Sequence, residues 1–200
     1  MLVLPELVVC PRLTLRRWRR ADVARLRTAI EESTEHLRPW MSFIQFEPMS
    51  DDDRAALIEG WEHDWQPGGD VVYGMLVDNE VVGGCGLHQG AGPDTLEIGY
   101  WVHVDHIGNG YAREAVAHLT TAALALPGIA RVEIHHDAAN TASRRVPESL
   151  GFRLEGEKPD KRVAPSEIGV DVAWSTTGPT WAGTWAPRVC RPPPQAPRIA

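Results

Sequence analysis

A chain of 200 residues with 43% hydrophobic and 24% charged residues is one domain's worth of sequence, large enough to bury about 70% of its unfolded surface without staples. Its net charge of −7, from 20 basic and 27 acidic residues, argues against a nucleic-acid partner. Cys10, Cys85 and Cys190 are odd in number and far apart, which speaks against a disulfide framework and for a reducing compartment. Cys85 inside GGCGL reads as a small buried hydrophobe in preference to a catalytic thiol. No metal-ligand spacing is present. The stretch MLVLPELVVC lacks a basic region and is broken by Pro5 and Glu6, and no apolar run nears about 18 residues. Neither a signal peptide nor a membrane partner is expected, and the expected location is cytoplasmic.

In chain order, Leu13 to Trp18 reads as a first strand, and Asp22 is placed to cap a helix with apolar positions Val23, Leu26 and Ile30. Arg12, Arg16, Arg17, Arg19 and Arg20 read as the solvated face of that strand and helix start. A short helix is expected near Ser33 to Leu37. Next, Ser50-Asp51-Asp52-Asp53 marks a helix start, with a serine cap and acids at the positive end of the dipole. Ala55, Ile58, Trp61 and Trp65 give its buried edge, and Pro67-Gly68-Gly69 ends it. Val71 to Val77 and Val81 to Leu87 are strands joined by the short turn Asp78-Asn79-Glu80. The meander continues into a strand from Thr95, where Leu96, Ile98, Tyr100 and Val102 alternate with Thr95, Glu97, Gly99 and Trp101.

After a glycine turn the period changes to that of a helix. Ala112, Val116, Leu119 and Ala123 form its stripe, and Pro127-Gly128 ends it. Gly108 and Gly110 thus stand where a strand hands over to a helix N-terminus. Unpartnered amides and the helix dipole suit a phosphate or pyrophosphate there, although a tight structural turn explains two glycines as well. A dinucleotide fingerprint fails at its third glycine, where Arg113 stands, and no Gly-Lys-Ser/Thr follows. The next strand, Ala130 to His135, would run parallel to Leu96 to Val102 through a right-handed crossover. Antiparallel hairpins plus one parallel pair predict an α/β (α+β) fold with a mixed, mostly antiparallel sheet. Asn140 and Ser143 then open a helix that passes Pro147 and stops at Gly151-Phe152. Capping alone explains Asn140 as well as ligand binding does. Pro147 has no N–H, so the carbonyl of Ser143 loses its helical partner, and a local kink is expected. Gly169 to Ser175 gives a last strand on which Trp181 and Trp185 pack. The stretch from Ala186, with RPPPQAPR inside it, reads as a mobile tail. One domain over residues 1–185 is expected.

Ile107-Gly108-Asn109-Gly110-Tyr111-Ala112 resembles the acyl-CoA pyrophosphate loop of the GNAT superfamily of N-acyltransferases, Gln/Arg-x-x-Gly-x-Gly/Ala. Gly110 and Ala112 match its small residues; Ile107 replaces its Gln or Arg. With EIGYWVHVDH before the loop and DAANTASRRVPESLGFRLEGE after it, the chain is similar to the branch of ribosomal-protein N-terminal acetyltransferases. The resemblance implies a sheet of about seven strands with a splayed parallel pair, into which the pantetheine arm of acetyl-CoA inserts beside Val102, His103 and Val104. It implies that Asn140 contacts the arm and that Ser143 lies near the sulfur. HLRPWM, His36 to Met41, resembles the acceptor segment; Leu37 and Trp40, with Trp101, would wall the pocket, and a core-covering loop is the alternative. Glu97 is the candidate base, with His88 and His103 in reserve, and Ser143 is the candidate acid, because the usual tyrosine is missing beyond it. The function implied is transfer of an acetyl group from acetyl-CoA to a primary amine by a monomer or homodimer. A non-catalytic acyl-CoA binder is the alternative, and a dinucleotide-binding protein a weaker one.

Overall fold

The computed structural model describes residues 4–65 and 69–183. Pro67, Gly68, Trp185, Cys190 and the proline-rich stretch from Ala186 lie outside the described residues.

A mixed α/β sheet organises the chain. Its edge is a hairpin of β1 (Leu7–Val9) and β2 (Thr14–Arg17). It continues antiparallel through β3 (Val71–Val77), β4 (Glu80–Gln89) and β5 (Thr95–Val102). Asp78 and Asn79 take φ of 48° and 70° between β3 and β4, the left-handed pair that a two-residue hairpin requires. β6 (Arg131–Asp137) runs parallel to β5. β7 (Arg153–Pro159) and β8 (Val170–Thr177) close the far side, giving the order β1-β2-β3-β4-β5-β6-β8-β7. Eight strands therefore stand where about seven were expected. The addition at the near edge is β1, whose three residues are mostly exposed.

Helices cover both faces. On one side α3 (Tyr111–Leu124) and α4 (Thr141–Leu150) pack over the sheet, and Val116 and Leu119 meet Tyr73, Leu87, Ile98 and Ile134 in the larger core. On the other, α1 (Val23–Leu37) and α2 (Asp51–Asp64) enclose Trp18, Leu26, Ile30 and Ile58. Burying both faces suits a sheet of this length. Ser50 caps α2 as the sequence predicts, its hydroxyl accepting the Asp53 amide.

Three local expectations are corrected. The separate helix at Ser33 to Leu37 is the last part of α1, which runs unbroken because the Ser33 hydroxyl is spent elsewhere, accepting the Val104 amide at 3.1 Å. Asp22 sits at the start of α1 without capping it; its carboxylate takes both Arg16 nitrogens at 2.8 and 2.9 Å and the Arg19 amide. The arginine cluster is a solvated face only in part: Arg19 and Arg20 are exposed. Arg12, Arg16 and Arg17 are each partly buried and paired, with Glu114, Asp22 and Glu6 respectively.

The feature that shapes the site is the β5–β6 pair. Only Thr95, Leu96 and Glu97 pair with Arg131, Val132 and Glu133, although β5 continues to Val102 and β6 to Asp137. Beyond those pairs β5 stays bonded to β4 as far as Val102, and β6 to β8 as far as Asp137. Each strand follows its outer neighbour, so a gap opens between them.

Candidate active site

The glycine turn and the gap adjoin. Gly108 and Gly110 have φ of 76° and 81°, a region that a residue with a Cβ enters at a cost. This left-handed pair turns the chain from β5 into α3. Among the described residues, the amides from Gly108 to Arg113 donate to no protein group. That row of donors at a helix N-terminus fits a diphosphate. Ile107 is 53% exposed and brings no polar group, as its type dictates. Asn109 is tied back through its side-chain amide to the His106 carbonyl at 3.2 Å.

Arg12 braces this loop from the first hairpin. Its amide and Nε each donate at 2.8 Å to the fully buried Glu114 carboxylate, and its Nη1 donates to the Asn109 carbonyl at 2.9 Å. No local pattern signals this brace, because nothing local joins residues 102 positions apart.

Along the gap, His103 donates its amide to the Val82 carbonyl on the β4 side. Antiparallel alternation then turns the backbone groups of Val102 and Tyr100 toward β6, where beyond Glu97 there is no partner strand. Val102 thus presents backbone groups to the gap, whereas the Val104 amide donates to Ser33. The His103 ring is buried, its Nε2 donating to Glu32 at 3.0 Å and its Nδ1 accepting the Asp105 amide, so it braces α1 against the turn. Tyr111 and Ala112 form the first helical residues after the loop.

A cavity lies at the gap, lined by Trp40, Met41, Ile98, Gly99, Tyr100, His135, His136, Asp137, Asn140, Ser143 and Glu167. Its lining comes from both faces of the sheet. Ile98 and Tyr100 belong to the α3/α4 side with Ser143 and Asn140, whereas His135 and Asp137 alternate with the core residue Ile134 and so face the opposite side, where Trp40 stands. Of the three expected pocket walls, Trp40 lines this cavity. Leu37 is buried in the second core, and Trp101 packs against it. Glu97 lies at the last β5–β6 pair, on the same side of the sheet as His135, outside the cavity lining. His88 pairs with Asp70 at 2.9 Å, also outside it.

Asn140 caps α4, its Oδ1 accepting the Ser143 amide at 3.0 Å. Pro147 sits inside α4 and frees the Ser143 carbonyl, as the sequence predicts. The structure supplies what the sequence could not: the Tyr100 hydroxyl lies 3.1 Å from that carbonyl and 2.9 Å from Ser143 Oγ. Burial pushes the Tyr100 phenol up to about 12, against the opposing effect of its Ser143 hydrogen bond. It therefore stays protonated and acts as a permanent donor beside Ser143. A tyrosine hydroxyl thus stands beside Ser143 from β5, although α4 carries no tyrosine.

This arrangement carries a test. Tyr100→Phe should cost about 1–3 kcal/mol, because a buried carbonyl loses its donor. Pro147→Ala in the same chain should return much of that by restoring the helical N–H. Thermal unfolding of both variants checks it; equal losses in the single and double variants would contradict the account.

Asp137 holds the cavity floor. Against a desolvation penalty, amide hydrogen bonds from Ala139, Ile168, Val170 and Gly169 keep its carboxyl below the usual range. Cys85 is buried as expected, and burial pushes its thiol and that of Cys10 upward, the latter to about 12, so neither is a ready nucleophile. Among the described residues, no group of three or more His, Cys, Asp or Glu is arranged to hold a metal, and no helix is long and apolar enough to cross a membrane.

Comparison with known proteins agrees with the loop, the gap and the fold. The model of the acetyltransferase (GNAT) domain matches residues 12–153. The Bacillus subtilis (strain 168) protein YdaF, provisionally named a ribosomal N-acetyltransferase, is 30% identical over 149 residues, covering 74% of this chain and 81% of YdaF. A crystal structure of a probable acetyltransferase superposes with a TM-score of 0.78 at 28% identity, covering 86% of this chain and 96% of the other. RimL, described as a ribosomal L7/L12 alpha-N-protein acetyltransferase in complex with coenzyme A, shares the fold with a TM-score of 0.76 at 20% identity, over 88% of this chain and 97% of its own. With the amide row, the splayed strands and the family match all falling on one segment, the chain belongs to the GNAT acetyltransferases and is an acyl-CoA-dependent N-acetyltransferase.

Proposed function

We propose that the protein moves an acetyl group from acetyl-CoA to a primary amine, by direct attack within a ternary complex, and that the acceptor is a protein or peptide α-amine. The observation that carries this is the cavity at the β5–β6 gap, lined by Ser143 and Asn140 from one face of the sheet and by Trp40 and His135 from the other. Amides from Gly108 to Ala112 hold the diphosphate, backbone groups at Val102 and the Asn140 side chain hold the arm, and Ser143 stands near the sulfur. Trp40, Met41 and Glu167 receive the acceptor. Names of relatives support the α-amine class: YdaF is named for ribosomal N-acetylation and RimL for an α-amine of a ribosomal protein.

An α-amino group has a pKa near 8, so a proton must leave as nitrogen attacks the thioester. We place this removal on the side of the sheet that carries Glu97, and Ser143, backed by Tyr100, protonates the departing thiolate. A backbone N–H near Val102 stabilises the oxyanion. The described residues carry both halves of the site, so a single domain suffices; we place it in the cytoplasm, as a monomer or homodimer.

The test is release of free coenzyme A thiol from acetyl-CoA in the presence of peptide α-amines and small amines. Acceptor-dependent release with the peptides is expected. Tight acetyl-CoA binding without release by any amine would instead favour a non-catalytic acyl-CoA binder.

A further inference from the structure

We propose that His135 is a further catalytic residue: its Nε2 takes the proton from the attacking amine, with Asp171 aligning the ring. This rests on the function proposed above and gives its proton a specific destination.

His135 lies on β6 two residues past the last pair with β5, where the gap has opened. It lines the cavity on the side opposite Ser143, with a side chain 23% exposed, reachable yet shielded. Its Nδ1 stands 2.9 and 3.1 Å from the two Asp171 carboxylate oxygens. An ionised carboxylate only accepts, so Nδ1 carries the hydrogen and the lone pair of the neutral ring is at Nε2. Nε2 in turn lies 3.4 Å from Glu133 Oε2. That approach becomes a hydrogen bond only once Nε2 is protonated. The ring is thus set in one tautomer, with its basic nitrogen beside a group that favours the product of proton uptake.

The charges facing the ring come from four strands. Asp171 of β8 and Glu133 of β6 touch it, Glu97 of β5 acts on it through space, Lys158 of β7 lies 3.4 Å from Asp171, and Arg131 of β6 is bonded to Glu133. Burial works to lower the His135 pKa and is outweighed: hydrogen bonding and charge from Asp171, the charge of Glu97 and the contact with Glu133 hold it above the ordinary value of 6.5. A base raised toward the pKa of an α-amine is better matched to it.

The ammonium proton passes to Nε2, the nitrogen lone pair forms the amide bond to the acyl carbon, and the carbon–sulfur bond breaks with its electron pair going to sulfur. Ser143 Oγ hands a proton to that sulfur and regains, through water, the second proton that the cationic amide nitrogen sheds as the carbon–sulfur bond breaks. The imidazolium returns its proton to solvent. In this scheme Glu97 is a positioning residue, acting by its charge on His135.

The experiment measures kcat/KM against pH with the peptide acceptor for the wild type, His135→Gln, Asp171→Asn and Glu97→Gln, together with acetyl-CoA affinity by calorimetry. His135→Gln should lower kcat by about 100-fold and abolish the acidic limb of the profile while acetyl-CoA affinity holds. Asp171→Asn and Glu97→Gln should each move that limb to lower pH. An intact limb in His135→Gln, with kcat within about threefold of the wild type, would overturn the inference and leave the proposed function standing. A wild type that releases no coenzyme A with any amine would remove both. Nitrogen NMR of the wild-type imidazole decides independently of any variant's folding: a hydrogen on Nδ1 is expected in the neutral ring, and one on Nε2 overturns the proposal.

Discussion

Gly110→Asp should abolish acyl-CoA binding at concentrations that saturate the wild type, a loss of at least about 100-fold. Two costs add. With φ at 81°, any residue carrying a Cβ strains the backbone by roughly 1–2 kcal/mol, about tenfold if the loop relaxes out of shape in response. The second cost is a carboxylate at the helix N-terminus proposed to hold the diphosphate, so two like charges would compete for one set of amides. A Cβ at Gly110 would lie 3.4 Å from Arg12 Nη2, so the new acid has a cation to pair with and the fold should survive. Gly110→Ala separates the terms, because it keeps the strain and omits the charge. Calorimetry with acetyl-CoA checks both variants. Undiminished affinity in Gly110→Asp would mean that the diphosphate lies elsewhere.

The largest loss of stability should come from Glu47→Ala. Arg54 projects from α2 into the interior, with a side chain 1% exposed, and its Nη2 donates to both Glu47 oxygens at 3.0 and 2.8 Å. Removing the carboxylate leaves a guanidinium buried without a counter-charge, which costs about 3–5 kcal/mol. For a chain of this length that is roughly a 6–20 °C fall in melting temperature. The double change Glu47→Leu with Arg54→Met should recover most of it, since an apolar pair avoids desolvating two ions. Melting curves of the three proteins test this, and a Glu47→Ala protein as stable as the wild type would show that water reaches Arg54. The same change should loosen the Trp40 side of the cavity, because Glu47 directly follows the short 3-10 turn Ser42–Phe46 beyond Trp40 and Met41.

Local pattern carried most of the architecture. Alternation at Leu96, Ile98, Tyr100 and Val102, the helical stripe at Val116, Leu119 and Ala123, and glycines at the handover were enough to predict the sheet, the crossover and the loop. What escaped were side chains whose role is set by distant partners. Ser33 read as the start of a separate short helix, yet its hydroxyl is committed to Val104 across the fold. Asp22 carried a capping signal and spends its oxygens on Arg16 and Arg19. Tyr100 counted only as an apolar position in a strand. Its hydroxyl matters because Pro147, on another element, releases a carbonyl in front of it. His135 was silent for the same reason, since Asp171 lies 36 positions away and is brought beside it only by the β6–β8 ladder. β1 has three residues with no inward-facing row to read.

The Arg12–Glu114 tether has a consequence for how the molecule responds to its coenzyme. With the diphosphate in the glycine loop as proposed, occupancy of that loop and attachment of the first hairpin are linked equilibria, each favouring the other by the same factor. Saturating coenzyme should therefore slow proteolytic nicking ahead of β2, and clipping that hairpin away should loosen the coenzyme in equal measure.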